Sequence, residues 1–134
     1  MKHSKSSLFL MELIIALLFF SLASTVCIRL FVHAHTLSAR TMDQNYAVNY
    51  AQNMAEAFLG CDGDLNSLQA LLSGSQLDAY TLSLDQEGYR TTLVCSDHPQ
   101  PGNTISADIS VCNADAPDNI LYTLHVDLHT PNVK

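Results

Sequence analysis

Leu8 to Val32 is an almost unbroken apolar run that carries charge only at Glu12 and Arg29. It is long enough for a helix to cross a bilayer, which takes roughly 20 residues. No Pro or Gly occurs from Leu8 to Leu59, so nothing local stops the helix at a membrane surface. At 1.5 Å per residue the whole stretch reaches roughly 78 Å. Beyond Asp43 the pattern becomes amphipathic. Tyr46, Tyr50, Met54 and Phe58 recur every fourth residue as a bulky ridge, and Ala47, Ala51, Ala55 and Leu59 form a flatter ridge beside it. That pairing of ridges suits a helix laid against a sheet. Gly60 is expected to end the helix, with Cys61-Asp-Gly-Asp64 as a turn.

The period then changes. Asp64 reads as the N-cap of a short helix, Leu65 to Leu72, closed by Ser73-Gly74. Tyr80, Leu82 and Leu84 alternate with polar residues. Gln86-Glu-Gly88 reads as a hairpin turn, and Tyr89 to Cys95 as the partner strand. His98 to Asn103 is expected to loop. Thr104 to Cys112 alternates again, with Ile105, Ala107, Ile109 and Val111 on one face. Ala114 to Asn119 reads as a second loop. Ile120, Tyr122, Leu124, Val126 and Leu128 alternate through a last strand. The expected fold is therefore α+β: a long N-terminal helix, its first half membrane-spanning, packed on a small four-stranded antiparallel meander that is apolar on one face. The expected divisions are a basic leader (1–7), an apolar half-helix (8–32), an amphipathic half-helix (33–60) and an extracytoplasmic α+β part (61–134).

Charge placement adds direction. The chain of 134 residues has a net charge of −7. Lys2 and Lys5 precede the apolar run, whereas past Leu30 three basic residues (Arg40, Arg90, Lys134) face twelve acidic ones. The positive-inside rule keeps such an N-terminus in the cytoplasm and sends the acidic part across. The shortage of basic residues there speaks against nucleic acid as a partner. Cys27 lies inside the apolar run. Cys61, Cys95 and Cys112 would face a space where disulfides persist, and three thiols allow at most one bridge within a chain. No pair has CxxC spacing, and the alternative is reduced, buried thiols.

Glu12 is the position that asks for an explanation. An ionised carboxylate inside a bilayer costs about 3 kcal/mol or more on insertion scales. It is tolerated when it lies shallow, is protonated, or has a partner. The segment Ser6-Ser7-Leu8-Phe-Leu-Met-Glu12-Leu-Ile-Ile-Ala-Leu-Leu-Phe-Phe-Ser-Leu-Ala23 resembles the N-terminal signature of type IV pilins and type II secretion pseudopilins. That resemblance implies a pilin-like fold and a leader removed between Ser7 and Leu8 by a prepilin peptidase, with Leu8 then N-methylated. It also implies that Glu12, as fifth mature residue, pairs with the N-terminal amine of a neighbouring subunit. Ser7 stands where the family prefers Gly, and Leu8 where Phe or Met is commoner. Ala47 to Glu56 is similar to the helix of the minor pseudopilin I class and related minor pilins. The partners so implied are other pilins or pseudopilins, the peptidase, an inner-membrane assembly platform and membrane lipid. No cofactor is implied, and the location implied is the cytoplasmic membrane, then a surface filament.

Other readings compete. Ser21-Leu22-Ala23 fits a secretory signal cleavage site, although Glu12 interrupts the apolar region and the helical pattern continues past Ala23. A lipoprotein reading through Cys27 meets Val26 where a small residue is wanted. A single-span anchor for a binding domain shares the topology without the assembly. No nucleophile–base pair or Gly-rich phosphate loop marks an enzyme. His33 and His35 point to different sides of a helix. His125, Asp127 and His129 share one face of the last strand, as a solvated polar face or a metal surface. Cys61-Asp-Gly-Asp64 lacks the spacing of a known calcium loop.

Overall fold

A computed structural model of the chain describes residues 2–96 and 104–129. The loop expected at His98 to Asn103 lies outside the described residues. Helix α1 spans Lys2–Gly60 and α2 spans Leu65–Leu72. Five strands follow: β1 Ser75–Asp78, β2 Thr81–Gln86, β3 Tyr89–Cys95, β4 Thr104–Asn113 and β5 Ala116–His129. They form one antiparallel meander in the order β1-β2-β3-β4-β5. The class is thus α+β, a long N-terminal helix packed on an antiparallel sheet. The chain divides into two units, Met1–Thr41 and Met42–Lys134. The described residues of the first are helix alone; the second holds the end of α1, α2 and the sheet.

Both expected ridges of α1 are used. Ala47, Ala51, Met54, Ala55 and Phe58 are buried in one core with Leu65 and Leu68 of α2 and with Leu82, Leu93, Ala107, Ile109 and Val111 of the sheet. Ala47, Ala51 and Ala55 lie on one stripe, and Met54 and Phe58 fill the space beside them between helix and sheet. Leu59, expected on the flat ridge, remains 41% exposed.

The helix ends in a Schellman motif. Gly63 N–H donates to Phe58 O (3.1 Å) and Asp62 N–H to Leu59 O (3.2 Å). The left-handed residue is Asp62 (φ 52°), followed by Gly63 (φ 77°), so Gly60 is the last helical residue and not the left-handed cap. A Cβ on Gly63 would lie 3.3 Å from both Ile105 Cδ1 and Leu128 Cδ2. The turn is therefore pressed onto the end of β4 and β5. Asp64 then caps α2, accepting from Asn66 N–H and Ser67 N–H, and Ser73 closes it at φ 54°. Glu87 (φ 51°) and Gly88 (φ 84°) make the two-residue β2–β3 turn left-handed at both positions, the type that matches strand twist.

Two expectations about the strands are corrected. The sheet has five strands, not four, because Ser75–Asp78 pairs with β2. Four residues with a register slip between Gln76 and Asp78 leave too short an alternation to stand out in the sequence. The expected loop Ala114 to Asn119 shrinks to a turn at Ala114-Asp115, and Ala116 already opposes Asn113. The slack is taken up by irregularities on either side of Cys112, which pairs with Ile120 while Val111 pairs with Tyr122. The bulge turns Leu121 inward and leaves Ile120 58% exposed, although strict alternation puts Ile120 on the apolar face.

Phe58→Ala is expected to cost about 3–5 kcal/mol, whereas Ile120→Ala should cost under about 1 kcal/mol. Urea unfolding followed by tyrosine fluorescence checks both. Equal losses would contradict the placement of the core.

Candidate functional site

The first unit presents no sheltered face. Every large apolar side chain from Leu8 to Val32 is exposed, from Leu13 at 46% to Phe31 at 76%. This helix is long and apolar enough to cross a membrane. Its hydroxyls are satisfied internally. Ser21 Oγ donates to Leu17 O and Thr25 Oγ1 to Ser21 O, each at 2.9 Å. Thr36 and Thr41 bond back to the preceding turn in the same way. Such back-bonding leaves little polar surface to desolvate. Glu12 is different. It is exposed, and among the described residues it has no hydrogen-bond or ionic partner. Arg29 lies 17 residues on, about 25 Å along the axis, out of reach within one chain. Ser7 and Leu8 are consecutive residues inside α1, and Leu8 lies one turn before Glu12 on the same side.

In the second unit, the end of α1 is tied to the β2–β3 hairpin by tyrosines. Tyr89 Oη donates to Asp43 Oδ1 at 2.6 Å and Tyr50 Oη donates to Glu87 Oε2 at 2.8 Å. The rings of Tyr46, Tyr50 and Tyr89 pack together with centroids 5.7–6.4 Å apart. The hydrogen bond to Asp43, with some burial, pushes Tyr89 up to about 12, and burial with the Glu87 hydrogen bond raises Tyr50. Nothing in the sequence marks these pairs, because Asp43 and Tyr89 are 46 residues apart.

The outer face of β4 and β5 carries a ladder of polar cross-strand pairs. Asp108 opposes His125, Ser106 opposes Asp127 and Thr104 opposes His129. His125 Nδ1 lies 2.6 Å from Asp108 Oδ1, and its Nε2 lies 3.1 Å from Asp127 Oδ1. Ser106 Oγ donates to Asp127 Oδ1 at 2.6 Å. The hydrogen bond to Asp108, then the nearby Asp127 charge, raises His125; the Ser106 hydroxyl chiefly lowers Asp127. The serine hydroxyl thus meets a carboxylate, and both imidazole nitrogens are engaged by carboxylates. That is a charge-pairing face, not a base poised on a nucleophile. Among the described residues no three His, Cys, Asp or Glu side chains are gathered as metal ligands would be. Arg90, the sole Lys or Arg from 42 to 129, is held by Asp85 in a two-pronged ion pair (2.8 and 3.0 Å).

The cysteines are all free thiols. Cys95 ends β3 on the helix side of the sheet, in the core, and Cys61 packs against that core from the turn after α1. Cys112 sits on the opposite face, with Sγ 3.7 Å from Arg90 O. Cys95 opposes Ala107, five residues before Cys112, so those two thiols are about 17 Å apart along the strand as well as across the sheet. A bridge needs Cα atoms within about 7 Å. Of the three thiols singled out by sequence, only Cys61 and Cys95 share a layer.

No family model matches the chain, and no curated protein or solved structure matches it either.

Two outcomes follow from this geometry. Peptide mapping without reductant should find Cys112 unbridged within the chain; a Cys95–Cys112 or Cys61–Cys112 bridge would contradict the sheet. In an ultraviolet titration of the five tyrosines, Tyr89 should ionise last. Its raised value means that its contribution to stability is complete below the ordinary value of 10 and is lost as pH rises through about 12. Tyr89→Phe should delete that last step; its survival would assign the step to another ring.

Proposed function

We propose that the chain is a minor pilin or pseudopilin, a structural subunit of a type IV pilus or type II secretion-like filament. In this reading a prepilin peptidase cuts between Ser7 and Leu8. The subunit waits in the cytoplasmic membrane with its N-terminus inside, then assembles through its apolar helix. The acidic sheet part decorates the filament exterior. Sibling pilin-like subunits, the peptidase and an inner-membrane assembly platform are its partners.

Glu12 carries the reading. Among the described residues it is a carboxylate without a partner, on a stretch of helix, Leu8 to Val32, that is apolar on every face. An anchor alone has no use for that cost. Cleavage after Ser7 would create a primary amine at Leu8, and the amine of one subunit could neutralise Glu12 of the next. Pairing removes two uncompensated charges from lipid together. Lipid contacts are then exchanged for helix contacts, so packing and the charge pair decide register. α1 continues through Ser7–Leu8 without a break, so cutting requires that the first turns unwind in the enzyme.

Mass spectrometry of the protein from cells with an active prepilin peptidase should find Leu8 as a methylated N-terminus. An intact Met1 would support a plain anchor, and a start at Ser24 ordinary secretion. Glu12→Ala should leave insertion intact and abolish crosslinking to sibling subunits; unchanged crosslinking would discard the charge pair.

A further inference from the structure

Between Glu12 and Asp43 the chain has no acidic residue and two arginines, Arg29 and Arg40. Arg29, His33, Thr36 and Arg40 follow one another at alternate spacings of four and three, so they line one side of α1. The opposite side carries Phe20, Phe31 and Ser38. Arg29, His33 and Arg40 are exposed, and among the described residues none of them has a hydrogen-bond or ion-pair partner. The Thr36 hydroxyl is turned back onto Val32 O and His33 O at 3.1 and 2.9 Å, so it adds no donor to the stripe. Two cations therefore stand without a counter-charge on a helix whose preceding turns are hydrocarbon.

The position of the stripe along the helix indicates its occupant. The apolar run Leu8 to Val32 measures roughly 37 Å as a helix, longer than the ~30 Å of bilayer hydrocarbon, so a helix that keeps the run in lipid tilts. With the boundary at Val32, Arg29 starts about 5 Å inside it along the axis and Arg40 about 12 Å beyond it. The flexible Arg29 side chain snorkels outward. Arg40 leans toward the preceding turn, as helical side chains do, and so toward the bilayer. His33 lies at the boundary itself and offers a ring N–H in either protonation state. Three donors thus converge on one thin layer. That layer holds the lipid phosphates, which guanidinium groups bind through paired N–H bonds. Arg29 sits among Ile28, Leu30 and Phe31, so its charge ends at a lipid boundary and not on a face open to an acidic soluble surface.

We propose that Arg29, His33 and Arg40 form a binding stripe for the phosphate headgroups of anionic phospholipid where α1 leaves the bilayer. The inference rests on α1 crossing a membrane, as in the function proposed above, and on neither cleavage after Ser7 nor pairing of Glu12. The stripe also gives the tilted helix a preferred rotation about its axis, with the arginine side turned toward the membrane surface it leans over.

The chain has no Trp, so one introduced tryptophan reports locally in the full chain reconstituted into vesicles. Leu22→Trp lies two turns before Arg29 on the stripe side, beside the acyl chains of a lipid seated there. Phe20→Trp lies at similar depth on the opposite side. Both native side chains are exposed. Quenching by dibrominated phosphatidylglycerol is compared with quenching by dibrominated phosphatidylcholine. At position 22 phosphatidylglycerol should associate about fivefold more strongly, and at position 20 about equally. Adding Arg29→Gln and Arg40→Gln should bring the ratio at position 22 down to about one, with an unchanged circular dichroism spectrum. Strong quenching by both lipids with equal ratios at the two positions, or a preference that survives loss of both arginines, would overturn the stripe and leave the membrane span standing. No quenching by either lipid at either position would overturn the span and the stripe together.

Discussion

One helix carries two kinds of surface, and the rest of the molecule follows from that. From Leu8 to Val32 α1 is apolar on all sides, which suits hydrocarbon and leaves no side that water would solvate well. From Met42 the same helix is two-sided, with alanines, Met54 and Phe58 on a sheet and polar residues outward. No helix breaker separates the regimes. The change is made by side chains alone, and the backbone bonds run through it.

The second unit is built to hold the two-sided half. The alanine stripe, Met54 and Phe58 share one core with Leu82, Leu93, Ile109 and Val111 from the inner faces of β2 to β4. At one end the Tyr89–Asp43 and Tyr50–Glu87 hydrogen bonds tie the helix to the β2–β3 turn. At the other, Gly63 lets the chain fold tightly over Ile105 and Leu128. A helix fastened at both ends of its contact has little freedom to rotate.

Much of this was legible in the residues. The helix, its two ridges and the Asp64 cap are local or periodic signals that stand largely where the pattern puts them, with Leu59 and Tyr46 left exposed, and the turn expected at Gln86-Glu-Gly88 narrows to Glu87-Gly88. What escaped was non-local or short. β1 is too brief for its alternation to register. Ile120 looks inward until the bulge at Cys112 shifts the face, and a bulge depends on the partner strand. The tyrosine–carboxylate pairs span 37 and 46 residues. For the candidate site, Glu12 was visible as a charge among hydrocarbons, but a partner outside the chain leaves no mark within it. The cysteine choices narrowed only once the sheet assigned Cys112 to the opposite face from Cys61 and Cys95.

The change of surface along α1 can be tested directly by spin labels placed singly along residues 10–58 of the full chain in lipid bilayers. Collision with oxygen should dominate on all sides from 10 to 30, with polar relaxants excluded. From 43 onward accessibility should oscillate with the helical period, with protection at 47, 51, 54, 55 and 58 and water access between. A helical oscillation already present at 10 to 30, with one side open to the polar relaxant, would contradict the account, because that segment would then be a soluble amphipathic helix covering another protein surface.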